Sequence, residues 1–233
     1  MDTKEMRKDL LKMALAAKSQ GAHMGGSLSL VEIMAALYGG TMSFAPDAPQ
    51  AEYRDRLILS KGHGVMAQYA ALKQVGLLSE DELLTYKANG SYVSAHPSVN
   101  PGLGIDFASG SLGQGLSQGV GVALALYKKG NESSRVFVIL GDGECDEGSV
   151  WEAAMTASHY RLANIVAVID RNRLQYDGNT EEVLALTDFS AKWKAFGWDV
   201  VTVDGHDVQA LKEAFRMHTE KPLAVIAETV KGK

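Results

Sequence analysis

The chain has 233 residues, of which 46% are hydrophobic and 22% are charged, and its formal net charge is −5. This composition is typical of a globular protein with a sizeable core, and an acidic balance without a basic block argues against nucleic-acid binding. The single cysteine, Cys145, cannot form an internal disulfide, and no apolar run is long enough to cross a bilayer. We therefore expect a cytoplasmic protein that binds neither nucleic acid nor membrane.

The first part of the chain, residues 1–130, has mainly helical patterns. Apolar residues recur at helical spacing over residues 6–17, and Ser27 or Ser29 is placed to cap a second helix. Further helices are predicted at residues 62–76, after Ser79 and at residues 113–127, with a loop over residues 90–112.

The remainder of the chain, residues 131–233, alternates between apolar runs of strand length and helical patterns. Strands are predicted at residues 136–140, 165–169, 198–203 and 223–227, and helices at residues 151–160, 190–196 and 208–218. Continuous apolar strands that alternate with helices predict a parallel sheet with helices on both faces. We therefore expect an α/β fold in which residues 1–233 form a single domain.

Two polar segments follow the first two of these buried strands. Gly141-Asp-Gly-Glu144 comes directly after one strand, and Asn172 follows the next. Because the carboxyl ends of neighbouring parallel strands line one crevice, Asp142 and Asn172 are expected to face the same point. A carboxylate and an amide carbonyl suit Mg²⁺, which completes its shell with phosphate oxygens and water. The pattern predicts a metal–diphosphate site, although Gly-Asp-Gly alone is more typical of a tight turn.

Three histidines, His23, His63 and His96, occur in chain breaks marked by glycine or proline. Loops that a scaffold positions often carry polar chemistry, so these are candidate site residues, although each taken singly is more often a solvated or capping residue. Their spacing is not that of a zinc site, and no cysteine pair accompanies them. His206 is expected to belong to a turn that leads into a helix.

A glycine-rich segment, Gly110–Gly115, opens the helix at residues 113–127. Its backbone N–H groups could therefore hold an anion or the edge of a polar ring. It is not a dinucleotide fingerprint, because Gln118 stands where the third glycine belongs and no clear strand precedes it.

Together these motifs resemble the N-terminal part of transketolases. The resemblance rests on Leu59–Gly64, Gly110–Gly115, Gly141–Gly143 with Asn172, Asp170–Gly178, Asp204–Asp207 and Thr229–Lys233. It covers most of the chain with the motifs in the expected order, and the combination is specific although no single motif is. It implies a thiamine-diphosphate-binding α/β fold and the cofactors thiamine diphosphate and Mg²⁺.

The resemblance also implies a role for each matching residue. Mg²⁺ would be held by Asp142, Asn172 and the main-chain carbonyl of Leu174. The diphosphate would be held by Gly143 and His63 beside Asn172, and the aminopyrimidine would meet Gly110, Ser111 and Leu112. The sugar donor would be contacted by His23 and His96, and the three histidines would act through hydrogen bonds and proton transfer. Glu147 would lie at the dimer interface.

The sequence departs from the family pattern in places. Ala22-His23-Met24 stands where the family commonly has Gly-His-Pro, and Ser111 stands where it has proline. The family's activating glutamate belongs to a second, pyrimidine-binding domain, for which no sequence remains after Lys233. We therefore expect a split enzyme in which a separate C-terminal-type subunit supplies that acid, in an α2β2 assembly.

The activity that the resemblance implies is transfer of a two-carbon glycolaldehyde unit from a ketose phosphate to an aldose acceptor. The alternatives are a subunit of another thiamine-diphosphate enzyme, such as a 2-oxo acid dehydrogenase component or a deoxyxylulose-phosphate synthase, and a non-catalytic nucleotide-binding module. The segments Ser60–Gly64 and Ala95–Pro97 favour transketolase, and the failed fingerprint counts against the nucleotide-binding module. The sequence does not identify the sugars.

Overall fold

The protein is built on a parallel sheet, and the computed structural model describes residues 1–176 and 178–233. Its strands are β1 (Arg56–Leu59), β2 (Val136–Gly141), β3 (Ile165–Arg171), β4 (Leu174–Gln175), β5 (Gly178–Asn179), β6 (Asp199–Asp204) and β7 (Leu223–Glu228). Five of them form one sheet in the order β1-β2-β3-β7-β6, with parallel pairing throughout. The short strands β4 and β5 pair antiparallel as a separate hairpin.

Helices connect and flank these strands. They are α1 (Thr3–Ala16), α2 (Met24–Leu28), α3 (Val31–Ala36), α4 (Val65–Gln74), α5 (Glu80–Leu83), α6 (Gly115–Lys128), α7 (Gly148–His159), α8 (Thr180–Val183), α9 (Phe189–Ala195) and α10 (Val208–Phe215). None of the helices in the described residues has the length and apolarity needed to span a membrane.

Alternate residues of the central strands point into two separate cores. In β2, Phe137 and Ile139 pack in the core that α1, α3, α4 and α10 cover, whereas Val138 and Leu140 pack in the core under α6, α7 and α9. Because both faces of each central strand are buried, these strands are continuous apolar runs rather than alternating ones. The structure confirms the predicted α/β fold with helices on both faces.

The prediction that residues 1–130 are helical is wrong at β1. This four-residue strand pairs with β2 along the sheet edge, in the register Arg56 beside Val136. A run so short gives no periodicity that separates a strand from a helix or loop. The strand matters for the site because Ser60 and Lys61 follow its carboxyl end.

The predicted serine cap is also wrong, since α3 begins after Leu30 without a side-chain cap. The Ser29 hydroxyl instead donates to Asp170 Oδ2 at 2.7 Å, and the Ser27 hydroxyl donates to the His63 carbonyl at 3.3 Å. Both serines make contacts far along the chain, which local sequence does not reveal. The Ser79 cap was predicted correctly and forms a capping box at the start of α5.

The segment after β3 contains the β4–β5 hairpin and the short helix α8. Asn179 caps α8 by accepting the Glu181 N–H at 2.9 Å. Asp177, which belongs to the motif Asp170–Gly178, lies outside the described residues.

Helix α6 provides a test of close packing against the sheet. A Cβ on Gly119 would stand 2.4 Å from Val138 Cγ2, whereas a Cβ on Gly121 would meet no atom within 4 Å. We expect Gly119→Ala to lower the free energy of unfolding by roughly 1–3 kcal/mol, because the helix must move off the sheet. The matched control Gly121→Ala should raise it by about 0.5–1 kcal/mol, because alanine restricts the unfolded chain. Urea denaturation measures both, and equal effects of the two substitutions would contradict this packing.

Candidate functional site

The polar residues that follow β2 and β3 meet at the carboxyl edge of the sheet. Gly141 lies beside Asp170 in the register, and the Asp142 N–H donates to the Asp170 carbonyl at 3.2 Å. The Arg173 N–H donates to Asp142 Oδ2 at 2.6 Å, so the chain after β3 folds directly against the carboxylate after β2. The structure thus brings Asp142 and Asn172 to the same crevice, as parallel pairing requires.

That crevice is a cavity of about 630 Å³. Of the predicted site residues, its lining includes His23, His63, His96, Gly110, Leu112, Asp142, Gly143, Asn172 and Leu174. Ser111 instead lines a neighbouring hollow with Gln114 and Gln118, and Glu147 is exposed next to Gly113. A cavity of similar volume, about 610 Å³, opens at the opposite edge of the sheet around Arg135 and Asn164, and none of the predicted residues line it.

Asp142 is a buried carboxylate without an ionic partner. It is 1% exposed and accepts the backbone N–H groups of Gly143 and Arg173, and no lysine or arginine among the described residues forms an ion pair with it. Burial raises the pKa of Asp142 to about 6, and the two backbone donors only partly oppose that effect. A buried charge in this setting is stabilised by a cation, so the residue fits a metal ligand.

Two further oxygens belong to residues that line the same crevice, Asn172 and Leu174. The Asn172 amide nitrogen donates to Asp170 Oδ2 at 3.2 Å, and its Oδ1 accepts the Leu174 N–H at 3.1 Å. These two contacts fix which way the amide points. The Leu174 carbonyl lies 3.5 Å from the Lys231 ammonium, so it already faces a cation.

Asp170 differs from Asp142, because it is buried with four side-chain donors. Lys61 forms an ion pair with it, Thr229 and Ser29 donate hydroxyls, and Asn172 donates its amide. Burial acts to raise the pKa of Asp170, but the Lys61 ammonium and the hydrogen bonds bring it below its ordinary value. The ionised Asp170 therefore joins the ends of four segments behind the crevice.

Glu144 performs a similar joining role on the other side. It is 3% exposed, its Oε1 accepts the Ser60 hydroxyl and the Gly113 N–H, and its Oε2 accepts the Gly141 N–H at 2.9 Å. The Gly115 N–H donates to Ser60 Oγ at 3.1 Å. Two N–H groups that the sequence suggested for an anion are thus bonded within the chain.

Gly143 is required by its neighbours. Its N–H donates to Asp142 Oδ1 at 2.9 Å, and a Cβ at this position would stand 2.6 Å from Gln175 Cβ. Since Gln175 lies in the β4–β5 hairpin, a side chain at 143 would push the hairpin away from the crevice. This glycine therefore keeps the two walls of the crevice close together.

The three histidines lie together, as their shared crevice implies. The ring centroids of His23 and His63 are 5.7 Å apart, and those of His23 and His96 are 6.0 Å apart. Burial, followed by the charge of Lys61, lowers the pKa of His63 to about 3. Burial also lowers the pKa of His96. His63 is therefore a neutral ring at physiological pH, able to donate one hydrogen bond and accept another.

Sequence reasoning missed three charged residues of the site, namely Lys61, Asp170 and Lys231. Lys61 is 1% exposed and lines the crevice, as Lys231 does. Lys61 and Lys231 belong to the motifs quoted above, but only the fold shows that both residues line the crevice. Asp170 directly follows the wholly apolar run at residues 165–169, and this position was the one signal in the sequence that pointed to a buried acid.

The donor set suits magnesium better than zinc. Within the described residues, no group of three or more His, Cys, Asp or Glu side chains could hold a metal ion. One buried carboxylate, one amide oxygen and one carbonyl oxygen remain at the strand tips. Magnesium is bound in this way, with phosphate and water completing its shell. The residues present therefore fit a magnesium–diphosphate group.

Comparisons with known proteins agree with this geometry. The model of a family described as the transketolase thiamine diphosphate binding domain matches residues 4–233. A relative from Phocaeicola vulgatus, named as one subunit of an apulose-4-phosphate transketolase, is 41% identical over 236 residues, covering 100% of this chain and 83% of the relative. The 6-deoxy-6-sulfo-D-fructose transketolase subunit SqwG of a Clostridium species is 44% identical, covering 91% of this chain and 78% of the relative.

A solved structure is similar over the same length. The transketolase of Campylobacter jejuni superposes with a TM-score of 0.89 and 27% sequence identity. The match covers 100% of this chain but only 39% of the Campylobacter chain. The present chain is thus similar to one part of a larger enzyme.

The low pKa of His63 predicts an acid-sensitive contribution to stability. In the unfolded chain a histidine titrates near 6.5, whereas His63 in the folded protein titrates at about 3. The unfolded state therefore binds more protons between these values, so this contribution is complete above pH 6.5 and is lost as the pH falls towards 3. The free energy of unfolding of the His63→Gln variant should fall less steeply over that pH range than that of the parent chain. In NMR titrations, the His63 ring signals should stay constant between about pH 8 and 5, and a midpoint near 6.5 would contradict the prediction.

Proposed function

The chain belongs to the family of transketolase thiamine-diphosphate-binding domains, and we propose that it is the diphosphate- and metal-binding subunit of a two-chain transketolase. On this proposal residues 1–233 act as one cofactor-binding domain. The observation that carries it is Asp142, a buried carboxylate without an ion pair among the described residues, at a strand tip in the crevice that Asn172 also lines.

The crevice supplies ligands for both halves of a magnesium–diphosphate group. Mg²⁺ would be held by Asp142, Asn172 and the Leu174 carbonyl, and the diphosphate by Gly143 and His63 beside Asn172. The ammonium of Lys231 at the rim adds positive charge for the phosphates. When bound, thiamine diphosphate supplies the carbanion chemistry that breaks and forms carbon–carbon bonds.

The histidines are proposed to act on the sugar. The ring centroids of His23 and His96 are 6.0 Å apart in the crevice. Both rings can form hydrogen bonds with the hydroxyls and the carbonyl of a ketose. A neutral ring can accept a proton from one sugar oxygen and return it to another, which a permanently charged one cannot. The low pKa of His63 means that the ring is neutral when it meets the phosphates and can donate one hydrogen bond to them.

A separate subunit is proposed to complete the site. The relatives from Phocaeicola and Clostridium are named as transketolase subunits, and this chain covers 83% and 78% of their lengths. The partner would supply the activating glutamate and close over Gly110, Ser111 and Leu112, which meet the aminopyrimidine. Glu147, exposed beside Gly113, would lie at the interface of an α2β2 assembly.

The proposed substrates are sugar phosphates, with a ketose as two-carbon donor and an aldose as acceptor. The two relatives are named for different sugars, apulose-4-phosphate and 6-deoxy-6-sulfo-D-fructose. An assay of this chain with its co-purified partner, offering ketose phosphates or pyruvate as donor, separates transketolase from the 2-oxo acid enzymes. Turnover of pyruvate but not of ketose phosphates would exclude the proposed activity.

Removal of the Asp142 carboxylate should abolish magnesium-dependent cofactor binding. We expect Asp142→Ala, with the partner chain present, to raise the Kd for thiamine diphosphate by about 100-fold or more, because an outer-shell contact alone is worth 10–100-fold. Titration calorimetry with and without Mg²⁺ measures the effect.

Asp146→Ala is the matched control, because it removes the same charge from the same turn at a residue that does not line the crevice. Its Kd should change less than about threefold, as expected for a charge that binds no metal. Unchanged magnesium-dependent binding by Asp142→Ala would refute the metal assignment.

A further inference from the structure

His206 bridges two parts of the chain, beyond its expected place in a turn. Its Nδ1 lies 3.0 Å from Glu32 Oε2. The Glu32 carboxylate also accepts hydrogen bonds from Nη1 and Nη2 of Arg7, at 2.7 and 2.9 Å. The side chains of His206 and Glu32 are each 8% exposed. The ring is therefore held in one orientation by a buried ion pair between α1 and α3.

The other ring nitrogen holds the chain end after β7. The Val230 N–H donates to His206 Nε2 at 2.9 Å. A backbone N–H can only donate, so Nε2 carries no proton. Although burial acts to raise the pKa of Glu32, hydrogen bonds from Arg7 and His206 bring it below its ordinary value. Glu32 is then an acceptor, and Nδ1 carries the proton.

The segment that Val230 belongs to forms one rim of the crevice. The Thr229 hydroxyl donates to Asp170, and the Lys231 stem lies on Gly25, where a Cβ would stand 3.0 Å from Lys231 Cγ. Val230 itself is 58% exposed, so burial of its side chain does not hold the segment. Its N–H bond to His206 anchors the backbone between Thr229 and Lys231, while the Thr229 N–H bond to the Arg171 carbonyl and the Gly232 N–H bond to the Gly25 carbonyl, both at 3.2 Å, hold the segment on either side.

We propose that His206 is a positioning residue, whose neutral ring, oriented by Glu32, holds the Val230 N–H and thereby sets Lys231 at the rim of the crevice. This inference rests on the proposed function for its consequence, because the diphosphate is the anion that Lys231 would then face. The bridge itself is made entirely by residues of this chain. His206 touches neither substrate nor cofactor and acts through Lys231.

The first experiment reads the bridge directly, by hydrogen exchange of the Val230 amide in the full chain. His206→Phe should speed exchange by at least about tenfold, because an exposed amide without a partner loses its protection. His206→Gln should restore part of the protection, since its amide oxygen can reach the position of Nε2. His218→Phe, at an exposed histidine of the opposite sheet edge, is the control and should change nothing.

The second experiment asks whether the bridge acts through Lys231. With the partner chain and Mg²⁺ present, His206→Phe and Lys231→Met should each weaken thiamine-diphosphate binding by about tenfold, and the double variant should bind no more weakly than Lys231→Met alone. A purely structural loss would add to the Lys231 effect and would not be rescued by His206→Gln.

The outcomes separate this inference from the proposed function. Unchanged Val230 exchange in His206→Phe, or additive losses in the double variant, would overturn the positioning role. If the parent chain and partner bind no thiamine diphosphate, the proposed function fails, and the exchange measurement still decides whether His206 anchors the segment.

Discussion

The site depends on one electrostatic contrast between two carboxylates on neighbouring strand ends. Asp170 is buried with a lysine and three other donors, and its pKa lies below the ordinary value. Asp142 is almost as deeply buried but, among the described residues, accepts hydrogen bonds only from backbone N–H groups, and burial raises its pKa to about 6. Because a buried charge is tolerated when it is paired or bound to a metal, the first carboxylate belongs to the framework and the second is free to bind a cation. The same sheet edge thus carries a structural carboxylate, Asp170, and a carboxylate suited to a cation, Asp142.

The framework explains why residues far apart in sequence form one crevice. Asp170 joins the ends of β1, β3 and β7 and the turn before α3, through Lys61, Thr229 and Ser29. Glu144 joins β1, β2 and the start of α6 in the same manner. Each carboxylate accepts several hydrogen bonds in a buried setting of low dielectric constant, where hydrogen bonds are stronger than in water. The crevice walls are therefore held together by hydrogen bonds within this chain.

The sequence predicted the parts of this arrangement that obey local rules. The runs that became β2 and β3 were continuous and apolar, and parallel pairing then required Asp142 and Asn172 to meet. Prediction from the sequence failed where tertiary contacts replace local ones. β1 is too short to show a period, and Ser29, a good cap in isolation, donates instead to Asp170 across the fold. The partners of His206 lie 174 and 24 residues away, so nothing near it in sequence could have revealed them.

The position of the crevice is compatible with the two-chain enzyme that we propose. Both faces of the sheet are covered by helices of this chain, and the two cores lie under those helices. The crevice, in contrast, opens at the strand edge, where polar site residues stand beside apolar side chains, such as Leu112 and Leu174, that belong to neither core. A boundary placed at that edge exposes no core, so the cofactor-binding part can fold as a unit. On the proposed function, a partner subunit would complete the site at this edge.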